Sequence, residues 1–536
     1  MNKITTFIQL ALVSIYCFSC TNLDEEIYSE VLAKDFYNTE EEIIAALVPA
    51  YGDLRPLISL RGTHTMATFS TDEVILPTRG RHWYDGGNFQ RFHEHSWTPE
   101  VAYLNNGWNE QFQLVSRSNM LIYQFEQLEN MNPDLREAFV AELKAIRALG
   151  YYYLLDNYGN VPIVDRFDVP EGFLPSNNAD FNEGRKEVFE FIENDLLSSI
   201  DKLSEANNSS TYGRMNQWAA YALLTKLYIN AEVWTGTPRW DDAITYADKI
   251  IESGEFSLES NYFANFLAHN EASNENIFVI PFDEYRTGNG WGSVNTTIFY
   301  LVGHHHAGNK ILGVPHSATS GSSALPSHYR SFDEKDIRRN GWTVGPQYDK
   351  VTGAPILNTE ESAPHPLVYT VDFVDIYNPD SNIEFNHKNA LEYQGARFSK
   401  YEIAYTGNGM SNDFAMFRYA DILLLKAEAL MRKNGGVATS AAVELVNQVR
   451  GRAFSAEDFV PLTSATLTMD QLLLERSFEL YFEGTRRQDL IRWGQFVRGT
   501  WEFYDRSDEG DYRNVYPIPQ WQINVNPNLH QNPGYN

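Results

Sequence analysis

Cysteine is nearly absent from this 536-residue sequence, which contains only Cys17 and Cys20. A disulfide between residues so close together would constrain almost none of the chain, so a disulfide-stapled fold is excluded. The 13 histidines do not fall in a Cys/His zinc pattern either. The sequence therefore predicts neither a metal site nor a cofactor.

Positive charge is also scarce. The sequence has 42 Lys and Arg against 71 Asp and Glu, which gives a formal net charge of −29. Nucleic-acid binding requires Lys and Arg to neutralise phosphates, so this class of function is excluded. The same charge disfavours acidic polymers unless a local basic patch outweighs it.

Long apolar runs are confined to the N-terminus. Residues 8–18 are apolar but too few to span a bilayer, and Lys3 precedes them. Cys20 follows, and the sequence then becomes polar, a pattern similar to a lipoprotein signal. We therefore predict a signal peptide over 1–19, a lipid on Cys20 and a tether over 20–38. An ordinary secretory signal is the alternative.

Helical periodicity is plentiful over 39–256 and again over 415–536. Three pairs of helical runs place small residues among large ones, which lets neighbouring helices approach closely. The predicted pairs are 142–158 with 187–203, 216–233 with 241–252, and 417–432 with 440–452. Pairs of this length and pattern are typical of tetratricopeptide-type hairpins.

The stretch 471–496 predicts a fourth helical hairpin, with its bend at Gly484, where a helix would stop. Four charged residues fall near that bend: Glu475, Glu483, Arg487 and Asp489. Helix geometry places Glu483 within i,i+3 and i,i+4 reach of Arg486 and Arg487. We interpret these charges as a structural clamp on the hairpin, and a catalytic carboxylate is the alternative.

Two stretches lack a sustained helical period. Residues 52–107 contain the run STDEVILPTRGRHWYDGGNF, and loops held on a rigid scaffold often carry function. Residues 257–414 are rich in Gly, Asn, Ser and aromatics, with a strand-like run at 277–281. A stretch of this length would be unusual as bare loop. We therefore predict a large irregular domain over 257–414, packed on the helical scaffold of 39–256 and 415–536.

The hairpin sequence ERSFELYFEGTRRQDLIRWG closely resembles the C-terminal signature of the SusD/RagB family. Arg147-Ala148, the NYG run at 157–159, the RYAD run at 418–421 and the YPIP run at 516–519 resemble further motifs of that family, in the expected order. The family consists of outer-membrane glycan-binding lipoproteins of Bacteroidetes. The resemblance implies a mainly α fold, with about four tetratricopeptide-type hairpins and a large loop-rich insertion domain.

The resemblance also implies a location and a partner. The acidic run Asp24-Glu25-Glu26 after Cys20 resembles the signal that sends Bacteroidetes lipoproteins to the cell surface. Family members hand glycan to a TonB-dependent, SusC-like transporter, whose barrel they cap like a lid. We therefore expect a lipid-anchored protein at the outer surface of the outer membrane.

The stretch 52–107, which we call the early loop, contains the best candidates for glycan binding. Flat rings stack on sugar faces, while arginines and carboxylates bond to vicinal hydroxyls. The candidates are Arg79, Arg81, Trp83, Tyr84 and Asp85. Gly86 and Gly87 follow them and would allow a sharp turn that presents the rings. Inward packing of the rings is the equally weighted alternative, and we expect Trp97 and Trp108 to lie in the core.

Two further candidates lie in the irregular domain. Trp291 stands in a glycine-rich run, and Tyr300 matches a family position where an aromatic ring meets the sugar. The starch-binding member has a tryptophan where this chain has Ser322, and its paired tryptophans are missing from the early loop. These departures argue against starch. We expect a neutral glycan, with a laminarin-type β-glucan as the specific hypothesis.

No catalytic residue is predicted. The run His304-His305-His306 cannot direct all its rings at one ion, and no carboxylate stands at ligand spacing. Carboxylates for glycoside hydrolysis are abundant, but nothing in the sequence singles out a pair. The alternatives are a peptide-binding, RagB-like uptake protein and a helical glycoside hydrolase.

Overall fold

Helices account for most of the regular structure, which confirms the mainly α prediction. The computed structural model describes residues 40–79, 82–129, 131–287, 307–315, 320–358, 364–373, 390–404, 409–504 and 510–535. Sixteen α-helices lie within these residues: α1 Glu40–Gly52, α2 Thr63–Thr68, α3 Asn88–His93, α4 Ala102–Glu126, α5 Pro133–Tyr158, α6 Phe181–Ser199, α7 Gln217–Ile229, α8 Ala231–Thr235, α9 Trp240–Ser253, α10 Gly308–Leu312, α11 Pro326–Ser331, α12 Tyr419–Lys433, α13 Ser440–Gly451, α14 Met469–Leu480, α15 Arg486–Arg492 and α16 Gln520–Val525.

Several helices begin at capping side chains. Asn132 accepts hydrogen bonds from two backbone amides at the start of α5, and Asp180 does the same for α6. Such caps satisfy amide groups that have no partner within the helix. Helix α5 ends at Gly159, whose φ of 71° is readily adopted only by a residue without a side chain.

The three predicted helix pairs are present. Helix α5 packs against α6, α7 against α9, and α12 against α13, while contact between α9 and α12 joins the second pair to the third. Ala148, Ala222 and Ala427 are completely buried, as expected where helices approach closely. The run 216–233 is divided into α7 and α8 at Asn230, whose amide donates to the carbonyl of Lys226 (2.8 Å).

Helices α14 and α15 form the fourth predicted hairpin, but Glu483 does not pair as helix spacing suggested. Helix α14 ends before Glu483, which therefore lacks helical geometry. The Glu483 carboxylate accepts hydrogen bonds from Arg418 (2.8 Å) and Lys400 (2.7 Å). The predicted pairing of Glu483 with Arg486 and Arg487 is thus wrong.

The two arginines of the bend pair with residues far away in the sequence. Arg486 forms two 2.7 Å hydrogen bonds with the carboxylate of Asp72 in the early segment (residues 52–107, the predicted early loop). Arg487 pairs with Asp156 of α5 at 3.0 Å. The interpretation of these charges as a structural clamp is confirmed. Asp489 of α15 pairs with Arg476 of α14 at 2.8 Å, while the other pairs tie the hairpin to elements elsewhere in the chain.

Ten short strands lie within the described residues: β1 Val74–Ile75, β2 Asn276–Ile280, β3 Ser323–Ala324, β4 Trp342–Thr343, β5 Gly345–Pro346, β6 Leu357–Asn358, β7 His365–Pro366, β8 Val368–Tyr369, β9 Arg397–Phe398 and β10 Phe414–Arg418. Strands β1, β3, β9 and β4 form an antiparallel sheet in that order. Strand β1 belongs to the early segment and the other three to the irregular region, so one sheet joins these two parts of the chain.

Strand β2 confirms the strand-like run at 277–281 and pairs antiparallel with β10. The predicted helix over 417–432 therefore starts late, because Phe417 and Arg418 complete the strand before α12 begins at Tyr419. The early segment also differs from a bare loop, since it contains α2, β1 and α3. Helices of two turns or less are too short to produce a visible period.

The C-terminal tail, residues 516–535, is held in place by hydrogen bonds to the end of α5 and within itself. The amide of Tyr516 donates to the carbonyl of Asn157 (2.7 Å), and Asn532 donates to the carbonyls of Tyr158 and Tyr516 (both 2.7 Å). The tail is not extended throughout, because α16 begins directly after Pro519. Residues 49–536 form a compact unit by themselves, and α1 begins in a separate unit, residues 1–48, of which 40–48 are described.

Candidate functional site

The early loop is fastened to the irregular region by Arg79. Its guanidinium donates to the carbonyls of Gly321 and Gln394 (both 2.7 Å) and to Ser323 Oγ (3.0 Å). Arg79 is buried, and its ring neighbour is Phe373, 5.8 Å away. Sequence reasoning placed Arg79 among the ligand-binding residues, but these contacts give it the role of holding the loop in place.

The backbone turns sharply after Arg79. Trp83 and Asp85 have φ angles of 64° and 42°, and Gly86 and Gly87 have φ angles of 65° and 76°. Left-handed conformations are uncommon for residues with a side chain and cluster at functional sites. The glycines therefore form the sharp turn that the sequence predicts.

Trp83 is half-buried and contacts two neighbouring parts of the chain. Its indole N–H donates to the carbonyl of Ser320 in the irregular region, and its ring meets Phe89 edge-on at 5.9 Å. Tyr84, next to it, is also half-buried. Trp83 therefore makes an inward contact through its indole N–H, while part of Trp83 and part of Tyr84 remain exposed.

Asp85 is positioned by two residues that sequence reasoning missed. Arg61 Nε lies 3.0 Å from Asp85 Oδ2, and the hydroxyl of Tyr103 donates to the same carboxylate. The Asp85 side chain is 33% exposed and Arg61 is 62% exposed, so the pair is available at the surface. The sequence gives no sign of these two contacts with Asp85. They depend on where Arg61, and Tyr103 of α4, lie relative to the loop.

The remaining predicted site residues lie outside the described residues: Arg81, Trp291, Tyr300 and the lipidation site Cys20. The run of histidines at 304–306 also lies outside them. Trp97 and Trp108 are buried, as predicted for core residues. Among the residues that the structure describes, no group of three His, Cys, Asp or Glu side chains has metal-binding geometry.

The carboxylates of the C-terminal hairpin are structural. Glu479 is fully buried and pairs with Arg338, Arg418 and Arg452 at 2.5–3.2 Å. Burial alone would raise the pKa of Glu479, but the three guanidinium groups hold it well below its usual range. A carboxylate so enclosed and paired is not accessible to a substrate, which argues against the catalytic alternative at this bend.

Asp72 and Glu73 connect the early segment to other parts of the chain. Asp72 pairs with Arg486 as described above, and the backbone carbonyl of Glu73 accepts from Leu325 (3.0 Å). Burial raises the pKa of Glu73 to about 8. These contacts join the early segment to the hairpin and to the irregular region.

The fold and the loop define a class of protein: a helical-hairpin scaffold that carries an aromatic loop fastened to a loop-rich region. The chain matches the family model described as "SusD family" over residues 259–535. It also matches the model described as "Starch-binding associating with outer membrane" over residues 22–229. The first match alone spans more than half of the chain, and the protein belongs to the SusD family.

Known relatives cover nearly the whole chain. The starch-binding protein SusD of Bacteroides thetaiotaomicron is 27% identical over 531 residues, covering 89% of this chain and 85% of that protein. A laminarin-binding SusD-like protein has a TM-score of 0.69 at 24% identity, covering 93% of this chain and 100% of that one. The surface glycan-binding protein A of B. thetaiotaomicron, in complex with laminarihexaose, has a TM-score of 0.68 at 21% identity, covering 92% and 99%. The two structural likenesses show a shared fold.

Proposed function

We propose that this protein is a cell-surface lipoprotein that binds an oligo- or polysaccharide without catalysis. One observation carries the proposal: in a chain of the SusD family, Trp83, Tyr84 and Asp85 stand on a sharply turned loop that is fastened to the irregular region. Aromatic rings beside a carboxylate and an arginine are suited to stacking and hydrogen bonding with a sugar.

Binding by this loop is expected to be modest in strength. A partly exposed ring contributes about 1 kcal/mol by stacking, and the hydroxyls of a sugar exchange bonds with water for bonds with protein at little net gain. Arg61 and Asp85 supply donors and acceptors beside the rings, in an orientation set by Tyr103. Affinity then depends on several weak contacts along one glycan chain.

The ligand we propose is a neutral, laminarin-type β-glucan. The net charge of −29 disfavours an acidic polymer. Two proteins of the same fold bind laminarin or laminarihexaose according to their descriptions. Ser322, which stands at the position of a starch-binding tryptophan, is completely buried, so this position offers no ring for stacking.

The delivery partner we propose is a SusC-like, TonB-dependent transporter in the outer membrane, and Cys20 is the proposed lipid anchor. The family description that mentions association with the outer membrane supports this location. Within the described part of the chain, no helix is long and apolar enough to cross a membrane.

Affinity electrophoresis tests the proposal. The protein starting after Cys20 is run through gels cast with laminarin, starch, mannan, xylan, fructan or alginate. We expect retardation by laminarin, reduced in Trp83→Ala and Tyr84→Ala because each removes a ring from the loop. Tyr300→Ala tests the aromatic position implied by family resemblance, and Trp521→Ala, which removes a 69% exposed ring elsewhere, is the matched control.

The outcomes separate the alternatives. Retardation that survives in both Trp83→Ala and Tyr84→Ala would overturn the loop as the binding site. A peptide-binding, RagB-like function is favoured if no gel retards the protein while a peptide mixture does. New reducing ends in a laminarin incubation, above the buffer control, would contradict binding without catalysis and favour a helical glycoside hydrolase.

A further inference from the structure

A cavity of about 260 Å³ lies among α6, α8, α15 and the C-terminal segment. Its walls include the rings of Phe181, Trp234 and Tyr512, and Arg185 of α6 also lines it. None of the residues that form the Trp83 loop contributes to this cavity. It is therefore a separate place on the molecule, independent of the proposed polysaccharide site.

Arg185 is held at this cavity by one hydrogen bond and one ring contact. Its Nη2 donates to the carbonyl of Val233 (2.8 Å), and its guanidinium carbon lies 5.2 Å from the centre of the Phe181 ring. Its Nε is buried and has no hydrogen-bond partner among the described residues. Gly159 makes this arrangement possible, since a Cβ there would come within 2.9 Å of the Phe181 ring.

Within the described part of the chain, no carboxylate forms an ion pair with Arg185. Two acidic residues line the cavity, but each is paired elsewhere. Asp156 pairs with Arg487 at 3.0 Å, and Asp511 pairs with Arg498 at 2.6 Å. Burial lowers the pKa of Arg185 to about 10, although the charge of the neighbouring Asp156 acts in the opposite direction.

Arg147 of the preceding helix, α5, shows how a buried arginine is usually paired with a carboxylate. It is buried and forms two 2.8 Å hydrogen bonds with the carboxylate of Asp195. A buried cation is ordinarily paired in this way, because an unpaired charge is costly to remove from water. Among the described residues, Arg185 has no such ion-pair partner.

We propose that this cavity binds a small organic carboxylate, with Arg185 as the residue that recognises it. The planar guanidinium matches a carboxylate with two parallel hydrogen bonds, and the aromatic walls suit an apolar or sugar-like body. The cavity has the volume of roughly nine water molecules, which is suited to a ligand no larger than a monosaccharide. The net charge of −29 disfavours polyanions and favours a ligand with a single charge.

Isothermal titration calorimetry and thermal melts test this site with sodium acetate, benzoate and D-glucuronate, at ionic strength matched with sodium chloride. We expect at least one of these carboxylates to bind and to raise the melting temperature, whereas neutral D-glucose does neither. Arg185→Met should weaken that binding at least about tenfold, because it removes hydrogen bonds to a charged group. Arg185→Lys keeps the positive charge but lacks the planar guanidinium group, so it should give an intermediate affinity.

Arg166→Met is the matched control, since Arg166 is 61% exposed and pairs with Asp168 at the surface. It should leave carboxylate binding unchanged. The proposal would be overturned if none of the three carboxylates bound. It would also be overturned if wild type, Arg185→Lys and Arg185→Met all bound a carboxylate with the same affinity. Laminarin retardation should be unchanged in the Arg185 variants, so failure of this site and failure of the polysaccharide site are distinguishable.

Discussion

At the scale of single residues, buried ion pairs dominate this molecule. Glu428 of α12 is completely buried and accepts hydrogen bonds from Arg432 and Arg492 at 2.8 Å. A buried pair is weak evidence of net stabilisation, but removing one partner leaves an uncompensated charge and is strongly destabilising. Surface pairs such as Arg166 with Asp168 contribute far less.

The pH dependence of stability follows from Glu428. Burial alone would raise its pKa, but Arg492 and Arg432 lower it to about 2. Because the folded pKa is depressed, ionised Glu428 contributes stability that is fully present above about pH 4.5 and lost as pH falls towards 2. Glu428→Gln should therefore cost about 3–5 kcal/mol near pH 7, and this cost should shrink by about 3 kcal/mol on acidification to pH 2.

Urea unfolding at several pH values measures this effect. Glu126→Gln, which changes an exposed carboxylate at the end of α4, should show no comparable cost at any pH. A difference between wild type and Glu428→Gln that stays constant from pH 7 to pH 2 would contradict the assigned pairing.

At the scale of elements, the bend between α14 and α15 is defined by two left-handed residues. Phe482 has a φ of 68° and Gly484 a φ of 74°. Phe482 is held in this conformation by stacking on Phe398, with ring centres 4.0 Å apart. The bend directs Glu483 towards Arg418 and Lys400, so the charge network depends on this local geometry.

Gly484→Ala should therefore destabilise the protein by about 1–2 kcal/mol, because a side chain disfavours the left-handed conformation. A steric clash is not the cause of this destabilisation, since the atom nearest to a Cβ added at this position would be Ala67 Cβ, 3.7 Å away. Urea unfolding measures the change. Gly52→Ala is the control, because Gly52 does not have a left-handed φ and a Cβ there would meet nothing within 4 Å; an equal loss in both variants would refute the conformational explanation.

At the scale of the whole molecule, three distant parts of the chain meet around the early segment. Strand β1 pairs with β3 of the irregular region, Arg79 donates to Gly321 and Gln394, and Asp72 pairs with Arg486 of the hairpin. The Trp83 loop is therefore positioned by tertiary contacts on two sides rather than by its own sequence.

Arg79→Lys should reduce laminarin retardation without removing any residue of the proposed binding surface. Lysine cannot reach all three acceptors at once, so at least one buried carbonyl loses its donor, at a cost of about 1–3 kcal/mol. Affinity electrophoresis and thermal melts report both effects. Arg330→Met, at a 54% exposed arginine paired with Asp372, should change neither, and normal retardation of Arg79→Lys would show that loop anchoring does not matter for binding.

Much of the fold was predictable because it is local. The helix pairs follow from runs of apolar residues with capping residues at their ends, as in α5 and α6, and the strand at 277–281 from a short apolar run. The candidate site was predictable only in part. The sequence indicated Trp83, Tyr84 and Asp85 as a cluster, but it gave no sign of Arg61, Tyr103 or Ser320, which orient them.

The errors arise where tertiary contacts override local spacing. Glu483 lies close to Arg486 and Arg487 in sequence, yet it pairs with Arg418 and Lys400 because the chain leaves helical geometry before it. Arg79 has the composition of a binding residue, yet it is buried and anchors the loop. Both outcomes depend on which distant groups are brought within hydrogen-bond distance.

By itself, the sequence determined the long helices, the turn at Gly86 and Gly87 and the family, because periodicity, backbone preference and motif order are properties of neighbouring residues. Tertiary structure alone decided which buried charges pair, which edge of Trp83 faces inward, and that Arg185 lines a cavity without an ion-pair partner among the described residues. The physical reason is that desolvation and ion pairing depend on the packing of residues hundreds of positions apart.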